Sequence, residues 1–346
     1  MVHVKKYTLM TIGVLMCLCV TLSLSLVAIK FSSYSNHVDK EDVDIRVTDF
    51  DSLNYMNAFD VADFSGSEVN TIDINAKKYT TNAITITDSD FRISDDLSRK
   101  IYNTIQSYGI ANSFYIVSLD DGMTVGYNVD KGYETASSIK APFALWVYEE
   151  IAKGNIDPNQ KITYEQKHYS SGTGVVKNAP FGTEFTVRDL VYYSLSESDN
   201  SAHIMLHKTF GVNGYNEMLR NLGAKQLYLT VANPWGYTTP RSSALVWQEI
   251  YNFSIKEEEG VTFLNILCNG KYNYYKEIMP DIPSASKAGF AYKDVIETGI
   301  VFGDHPYIAI AVANKGGNIG AYTQVLKLIG HMNDIMVEYD EYLNSK

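Results

Sequence analysis

With 346 residues, 45% of them hydrophobic and 20% charged, the chain is large enough for one or two packed domains and too apolar for wholesale disorder. Its net charge of −11 is concentrated at residues 31–90, where 12 Asp and Glu face 4 Lys and Arg, which argues against a nucleic-acid partner. Of three cysteines, Cys17 and Cys19 lie in an apolar N-terminal run, so Cys268 stands alone and neither a disulfide framework nor a thiolate metal site is available.

Taken in chain order, the first element is Tyr7 to Ile29, an uncharged run between Lys5-Lys6 and Lys30. As a helix it would span roughly 34 Å, enough for a hydrocarbon core of about 30 Å. The basic pair on the short flank keeps the N-terminus inside, so residues 1–30 are expected to be a single-pass anchor in the cell membrane, with everything after Lys30 extracytoplasmic. A cleaved signal peptide is the rival reading. Residues 31–93 are rich in Asp, Ser, Asn and Thr and read as an acidic polar linker. Thr71-Ile-Asp-Ile and Ala83-Ile-Thr-Ile-Thr offer one weak hairpin at most.

Regular elements are predicted from residue 94 to the end. A helix from Ser94 to about Tyr108 carries Leu97, Ile101 and Ile105 at helical spacing. Phe114 to Leu119, Asp120-Asp-Gly and Met123 to Tyr127 read as a hairpin. A helix opening near Ser137 puts Ile139, Phe143, Val147 and Ile151 on one face and ends before Gly154, and a mainly helical stretch continues to about Tyr275. Strands return at Ser286 to Ala291, Val295 to Phe302 and Tyr307 to Ala313, followed by a helix from about Tyr322 to Leu343. This order describes an α+β domain, an αβα sandwich whose antiparallel sheet of about five strands is interrupted by a helical lobe.

Two S-x-x-K sequences occur, Ser137 to Lys140 and Ser284 to Lys287. Ser137 is placed where a loop becomes a helix, so Lys140 lies one turn on, on the same face, while Pro142 falls in a first turn that tolerates it. Ser284 follows Pro283 in a predicted loop, and its lysine begins a strand. Ser198-Asp199-Asn200 then stands at the mouth of a second helix, and Lys287-Ala288-Gly289 opens the first late strand. In this order the three elements resemble the S-x-x-K, S-D-N and K-T-G set of class A β-lactamases and penicillin-binding proteins. The resemblance runs from about Asp95 to Tyr342 and includes Gly172 to Leu190, leading into the second motif, and Thr238-Thr-Pro-Arg, opening a later helix.

The resemblance implies a serine hydrolase that forms an acyl-enzyme with a β-lactam or a peptidoglycan stem peptide. Ser137 would be the nucleophile, Lys140 its base and Ser198 a proton relay to the leaving nitrogen. Asn200 would hold Lys140 and the substrate amide, and Lys287 would attract a substrate carboxylate. The backbone N–H groups of Ser137 and Phe290, the residue after Gly289, would form the oxyanion hole. A monomer without cofactor or metal is expected.

Two departures bear on substrate. Ala288 lacks the hydroxyl of K-T-G, and no E-x-x-L-N element precedes Thr238: Ala224 to Tyr237 contains no acid, and Glu217 lies in a helical context that does not match. A carboxypeptidase-like amidase and a non-catalytic envelope-binding or sensor protein are therefore the alternatives. His203 and His207 have a metal-pair spacing but no accompanying glutamate or third ligand, and read as packing residues. The 26 tyrosines read mainly as core. Asp199 has the alternative reading of a plain helix cap.

Overall fold

Alternating small and large apolar residues build the centre of the sheet in the computed structural model, which describes residues 85–86, 91–106, 111–314 and 319–346, all within one unit, Val47–Lys346. The sheet strands are β1 (Thr85–Ile86), β2 (Ala111–Ser118), β3 (Thr124–Tyr127), β8 (Ser284–Phe290), β9 (Asp294–Val301) and β10 (Tyr307–Asn314). Their spatial order is β1-β3-β2-β10-β9-β8, every pair antiparallel. On β10, Tyr307, Ala309, Ala311 and Ala313 face one layer and Ile308, Ile310 and Val312 the other. The register sets Ala309 opposite Ile116 and Ala311 opposite Phe114, so bulk on β2 fills what β10 leaves open.

Two helices from opposite ends of the described chain cover the alanine face: α1 (Asp95–Gln106), with Leu97, Ile101 and Ile105 buried, and α9 (Ile319–Asn344). Phe91, inside the predicted linker, is buried between Tyr339 and Tyr342 of α9. Thr85–Ile86, from the predicted weak hairpin, instead extends the sheet beside β3. The rest of that linker and the expected anchor lie outside the described residues. Among the described residues no helix is long and apolar enough to cross a membrane.

The helical lobe lies on the other face. It holds α2 (Lys140–Ala152), α3 (Val187–Ser196), α4 (Asn200–Phe210), α5 (Asn213–Leu222), α6 (Pro240–Lys256) and α7 (Glu258–Cys268), with two-stranded pairs β4 (Tyr133–Glu134) with β7 (Tyr237–Thr238) and β5 (Lys161–Thr163) with β6 (Glu184–Thr186). The single turn α8 (Tyr275–Ile278) packs instead under the terminal helices, where Tyr275 is buried and Glu277 accepts from the Tyr322 hydroxyl of α9. Thr239 caps α6 by accepting from the Ser242 N–H, with Pro240 just inside the helix, as Thr-Thr-Pro-Arg suggests. Sequence periodicity assigned α2 one apolar face. Its Ala141, Ala144, Leu145, Trp146 and Tyr148 are buried as well, because α2 runs through the middle of the lobe rather than along its surface.

One polar group contradicts this apolar packing. Glu297 on β9 is paired with Ala288, so it shares the face under the terminal helices; it is fully buried, and neither carboxylate oxygen has a hydrogen-bond partner. Burial pushes its carboxyl up to about 8, only partly opposed by the Lys287 charge. The folded protein therefore holds this proton from about pH 4.3, where an unfolded glutamate loses it, up to about pH 8. Stability from this group falls as pH rises through that window and levels off above it. Glu297→Gln is expected to flatten the decline, read as urea midpoints across the window. An unchanged slope would show that Glu297 is not its source.

Candidate active site

Ser137 is delivered by a strained turn fixed at both ends. On the approach, β4 pairs with β7, the Glu134 N–H donates to Asp294 Oδ2 at 2.5 Å, and Thr135 exchanges bonds with Gly236 through both its backbone N–H and its hydroxyl. Ala136 then takes φ +46°, a left-handed conformation that costs a residue with a Cβ about 1 kcal/mol or more. The predicted helix start resolves into a 3-10 turn, Ala136–Ile139, running into α2. Ser138 and Ile139 are buried, while Ser137 keeps partial access to solvent.

Lys140 is fully buried, and its Nζ lies 2.5 Å from the Ser198 carbonyl, 2.7 Å from Asn200 Oδ1, 2.9 Å from Ser137 Oγ and 3.3 Å from Ser198 Oγ. The two shortest contacts are to oxygens that can only accept. A neutral amine has two N–H bonds for them and one lone pair, which leaves the lone pair for the Ser137 hydroxyl. Burial first, and then the positive charge of Lys287, hold the Lys140 ammonium well below its usual range, with Asp199 opposing weakly. Geometry and electrostatics thus both describe a base.

The S-D-N segment sits between α3 and α4. Ser198 has φ +54°, which turns its carbonyl and its hydroxyl toward the lysines, and Thr173 Oγ1 secures that carbonyl at 2.6 Å. Asp199 is the N-cap of α4, as its alternative reading held, but it also does more. Besides the Ala202 N–H it accepts from Val175 and Val176, pinning the Gly172-to-Val176 loop over the site. At Gly174, φ +108°, an added Cβ would lie 2.2 Å from that carboxylate, so the segment needs glycine there. Asn200 accepts from Lys140 and donates one N–H to the Ser171 carbonyl.

Lys287 Nζ lies 2.9 Å from Ser198 Oγ and 3.4 Å from the Ala288 carbonyl; burial lowers its ammonium to about 8, with Glu297 opposing. Ser284 belongs to β8 and not to a loop. Residues i and i+3 on a strand face opposite sides, so Ser284 turns away from Lys287 and bonds Asn273. Gly289 brings β8 against the nucleophile turn: a Cβ there would meet the Thr135 carbonyl at 2.3 Å and the Ser138 N–H at 3.0 Å. This closeness sets the Phe290 backbone beside Ser137, with the Phe290 side chain exposed at the strand end.

Of the seven residues singled out in sequence, Ser137, Lys140, Ser198, Asn200 and Lys287 therefore meet around one buried amine, while Gly289 packs against the turn that carries Ser137 and Phe290 follows it at the strand end. His203 and His207 do not join them as ligands. His203 Nε2 contacts the Pro234 carbonyl at 2.9 Å and His207 Nε2 the Thr230 carbonyl at 3.1 Å, clamping the loop before β7. Among the described residues no group of three His, Cys, Asp or Glu could hold a metal ion. Glu217 is exposed on α5. Trp235, whose ring lies 5.4 Å from Lys140 Nζ, carries no sequence signal, and Thr173 is marked in sequence only as part of the Gly172 to Leu190 stretch.

A profile described as "Beta-lactamase enzyme family" matches residues 96–339. The chain is 31% identical over 120 residues to the β-lactamase VEB-1 of Pseudomonas aeruginosa, covering 34% of this chain and 40% of that one. It is 28% identical over 135 residues to the β-lactamase regulatory protein BlaB of Streptomyces cacaoi, covering 39% and 43%. The chain thus spans about two fifths of the length of the curated relatives it matches. A β-lactamase structure from Sphaerobacter thermophilus superposes with TM-score 0.62 at 21% identity, over 68% of this chain and 95% of that one. A PBP-A mutant, solved as an acyl-enzyme complex with penicillin G, superposes with TM-score 0.64 at 16% identity, over 70% and 96%. These two likenesses establish a shared fold.

The different titrations of the two lysines have a consequence for pH. A ligand carboxylate held by Lys287 would need the lysine charged, so the KM of such a ligand would rise above about pH 8, approaching about tenfold per unit. Lys287→Ala should weaken binding at neutral pH and remove that alkaline limb. A limb that persists in the variant would assign it to another group.

Proposed function

The chain belongs to the beta-lactamase enzyme family, and on that footing we propose that it is a serine hydrolase forming an acyl-enzyme on Ser137 with a β-lactam or a related D-alanyl peptide amide. One observation carries the proposal: the Lys140 amine has carbonyl acceptors for its two N–H bonds, and the Ser137 hydroxyl, at 2.9 Å against 3.3 Å for that of Ser198, is the nearer hydroxyl for its lone pair. Lys140 takes the hydroxyl proton as Oγ adds to the substrate carbonyl. Ser198, bridging Lys140 and Lys287, passes a proton to the leaving nitrogen, and Lys287 holds the substrate carboxylate. The backbone N–H groups of Ser137 and Phe290 receive the oxyanion. Asn200 has a second N–H for the substrate carbonyl.

Deacylation is where this chain differs from the family pattern. Residues 224–237 contain no acid, and Glu297 lies on the opposite face of the sheet. General-base assistance is worth about 10² to 10⁴ in rate. From a typical turnover of about 10 s⁻¹, losing about 10⁴ leaves roughly 10⁻³ s⁻¹ and an adduct that lasts minutes. The same absence supports a second reading, a sensor or envelope-binding protein that is acylated and stays so. In both readings we place the chain as a monomer at the outer face of the membrane, held by the uncharged run Tyr7 to Ile29. Protease attack on the C-terminus in intact cells is the expected result, and protection would overturn that placement.

The enzymatic proposal is tested by intact mass after incubation with a reporter penicillin. The wild type is expected to show a one-to-one adduct in a one-minute quench and poor steady-state hydrolysis. Ser137→Ala should abolish the adduct and Ser284→Ala should leave it unchanged. Rapid turnover with nothing trapped would mean that an unassigned base serves the site.

A further inference from the structure

The loop from Leu229 to Gly236 has no acid to offer the site, yet it is tied down throughout. Asn216 bonds both the N–H and the carbonyl of Leu229. Thr230 and Asn233 bridge across the loop, His207 and His203 take the carbonyls of Thr230 and Pro234, and Gly236 is held by Thr135, two residues before the nucleophile. What this anchored loop presents to the site is the Trp235 ring. It lies 5.4 Å from Lys140 Nζ, and its other near neighbour is the His203 ring at 5.2 Å, which in turn packs on Phe143, one turn from Lys140.

We propose that Trp235 is a positioning residue that keeps water off Lys140 and off the ester formed at Ser137, so that one ring governs both how readily the serine is attacked from and how long the adduct lasts. Hydrolysis of the ester requires a water to add to the acyl carbon, give a proton to a base and break the bond to Oγ, which recovers a proton. Among the described residues the base in contact with Ser137 Oγ is Lys140, and Trp235 lies beside it. The groups facing Lys140 are Lys287 from β8, Asp199 at the start of α4 and His203 within α4. Lys287 disfavours the ammonium, Asp199 favours it, and His203, lowered by burial to about 3, is neutral throughout the useful pH range.

A ring face exerts two opposed effects on an amine. Its quadrupole favours the ammonium, whereas its exclusion of water favours the neutral form. Removing the ring therefore moves the Lys140 titration upward if exclusion dominates and downward if the quadrupole does. The half of the proposal about the amine stands without the hydrolase reading; the half about adduct lifetime rests on it.

The test uses Trp235→Ala and Trp235→Leu in the full chain, the second keeping apolar cover without a π face. NMR of the lysine side chains follows the Lys140 titration, and intact mass follows the penicillin G adduct after free reagent is removed. In Trp235→Ala the titration is expected to rise by about one unit or more and the adduct lifetime to shorten on the order of tenfold, with Trp235→Leu close to wild type in both. A titration that stays put or falls in Trp235→Ala would overturn the proposal. So would an adduct lifetime within about twofold of wild type. A wild type that forms no adduct would sink the hydrolase reading instead, and the titration would still decide the role of the ring.

Discussion

A lysine side chain buried without a carboxylate in contact is the constraint on which the rest of this structure depends. Taking an ammonium out of water is unfavourable by several kcal/mol, and the usual remedy, an ion pair, would destroy the base by keeping it protonated. The fold instead surrounds Lys140 with dipoles and a like charge: the Ser198 carbonyl, the Asn200 amide and Lys287. The nearest acid, Asp199, is committed to three backbone N–H groups. That arrangement accounts for left-handed Ser198, for glycine at 174, and for the burial of α2 from Lys140 through Tyr148, since an enclosed helix start keeps its first residue dry.

What was legible in the sequence followed from periodicity and order. Period-two runs locate β2, β3 and the three late strands, the largest offset being the start of β2 at Ala111 against the expected Phe114, because each alternates between two layers of known polarity. The site residues were found through motif resemblance, and the structure adds the reason each type is required. Ser284 was set aside on the argument that it lay in a loop; the decoy fails because the pleat separates i from i+3. What stayed hidden was set by tertiary contact alone. Trp235 is one aromatic in a motif-free loop, Thr173 one hydroxyl between two glycines, and the His203 and His207 spacing carries no hint that their partners are carbonyls in a segment yet to come. The burial of α2 from Lys140 through Tyr148 is not legible in the sequence because a stretch covered all round has no contrasting face to betray it.

Membership of the beta-lactamase enzyme family fixes the frame, while the chain's own residues decide what the frame does. The acylating half, from Ser137 to Lys287, is assembled at hydrogen-bond distances. The segment before β7 holds instead a loop of backbone bonds and one indole. Under the proposed function, that combination would form an acyl-enzyme readily and release it slowly, whether the cell uses it to transform a ligand or to register one.

The sheet order has a further consequence, for how the chain acquires its shape. The inner neighbour of β2 is β10, the final strand, and the face they share is closed by α9, the final helix. Pairings between distant segments form late and slowly. During synthesis, the nucleophile turn, the S-D-N segment and even β8 emerge before the sheet that must hold them has its centre. The first hairpin and the helical lobe must therefore wait, with apolar faces uncovered, until β10 and α9 have been made.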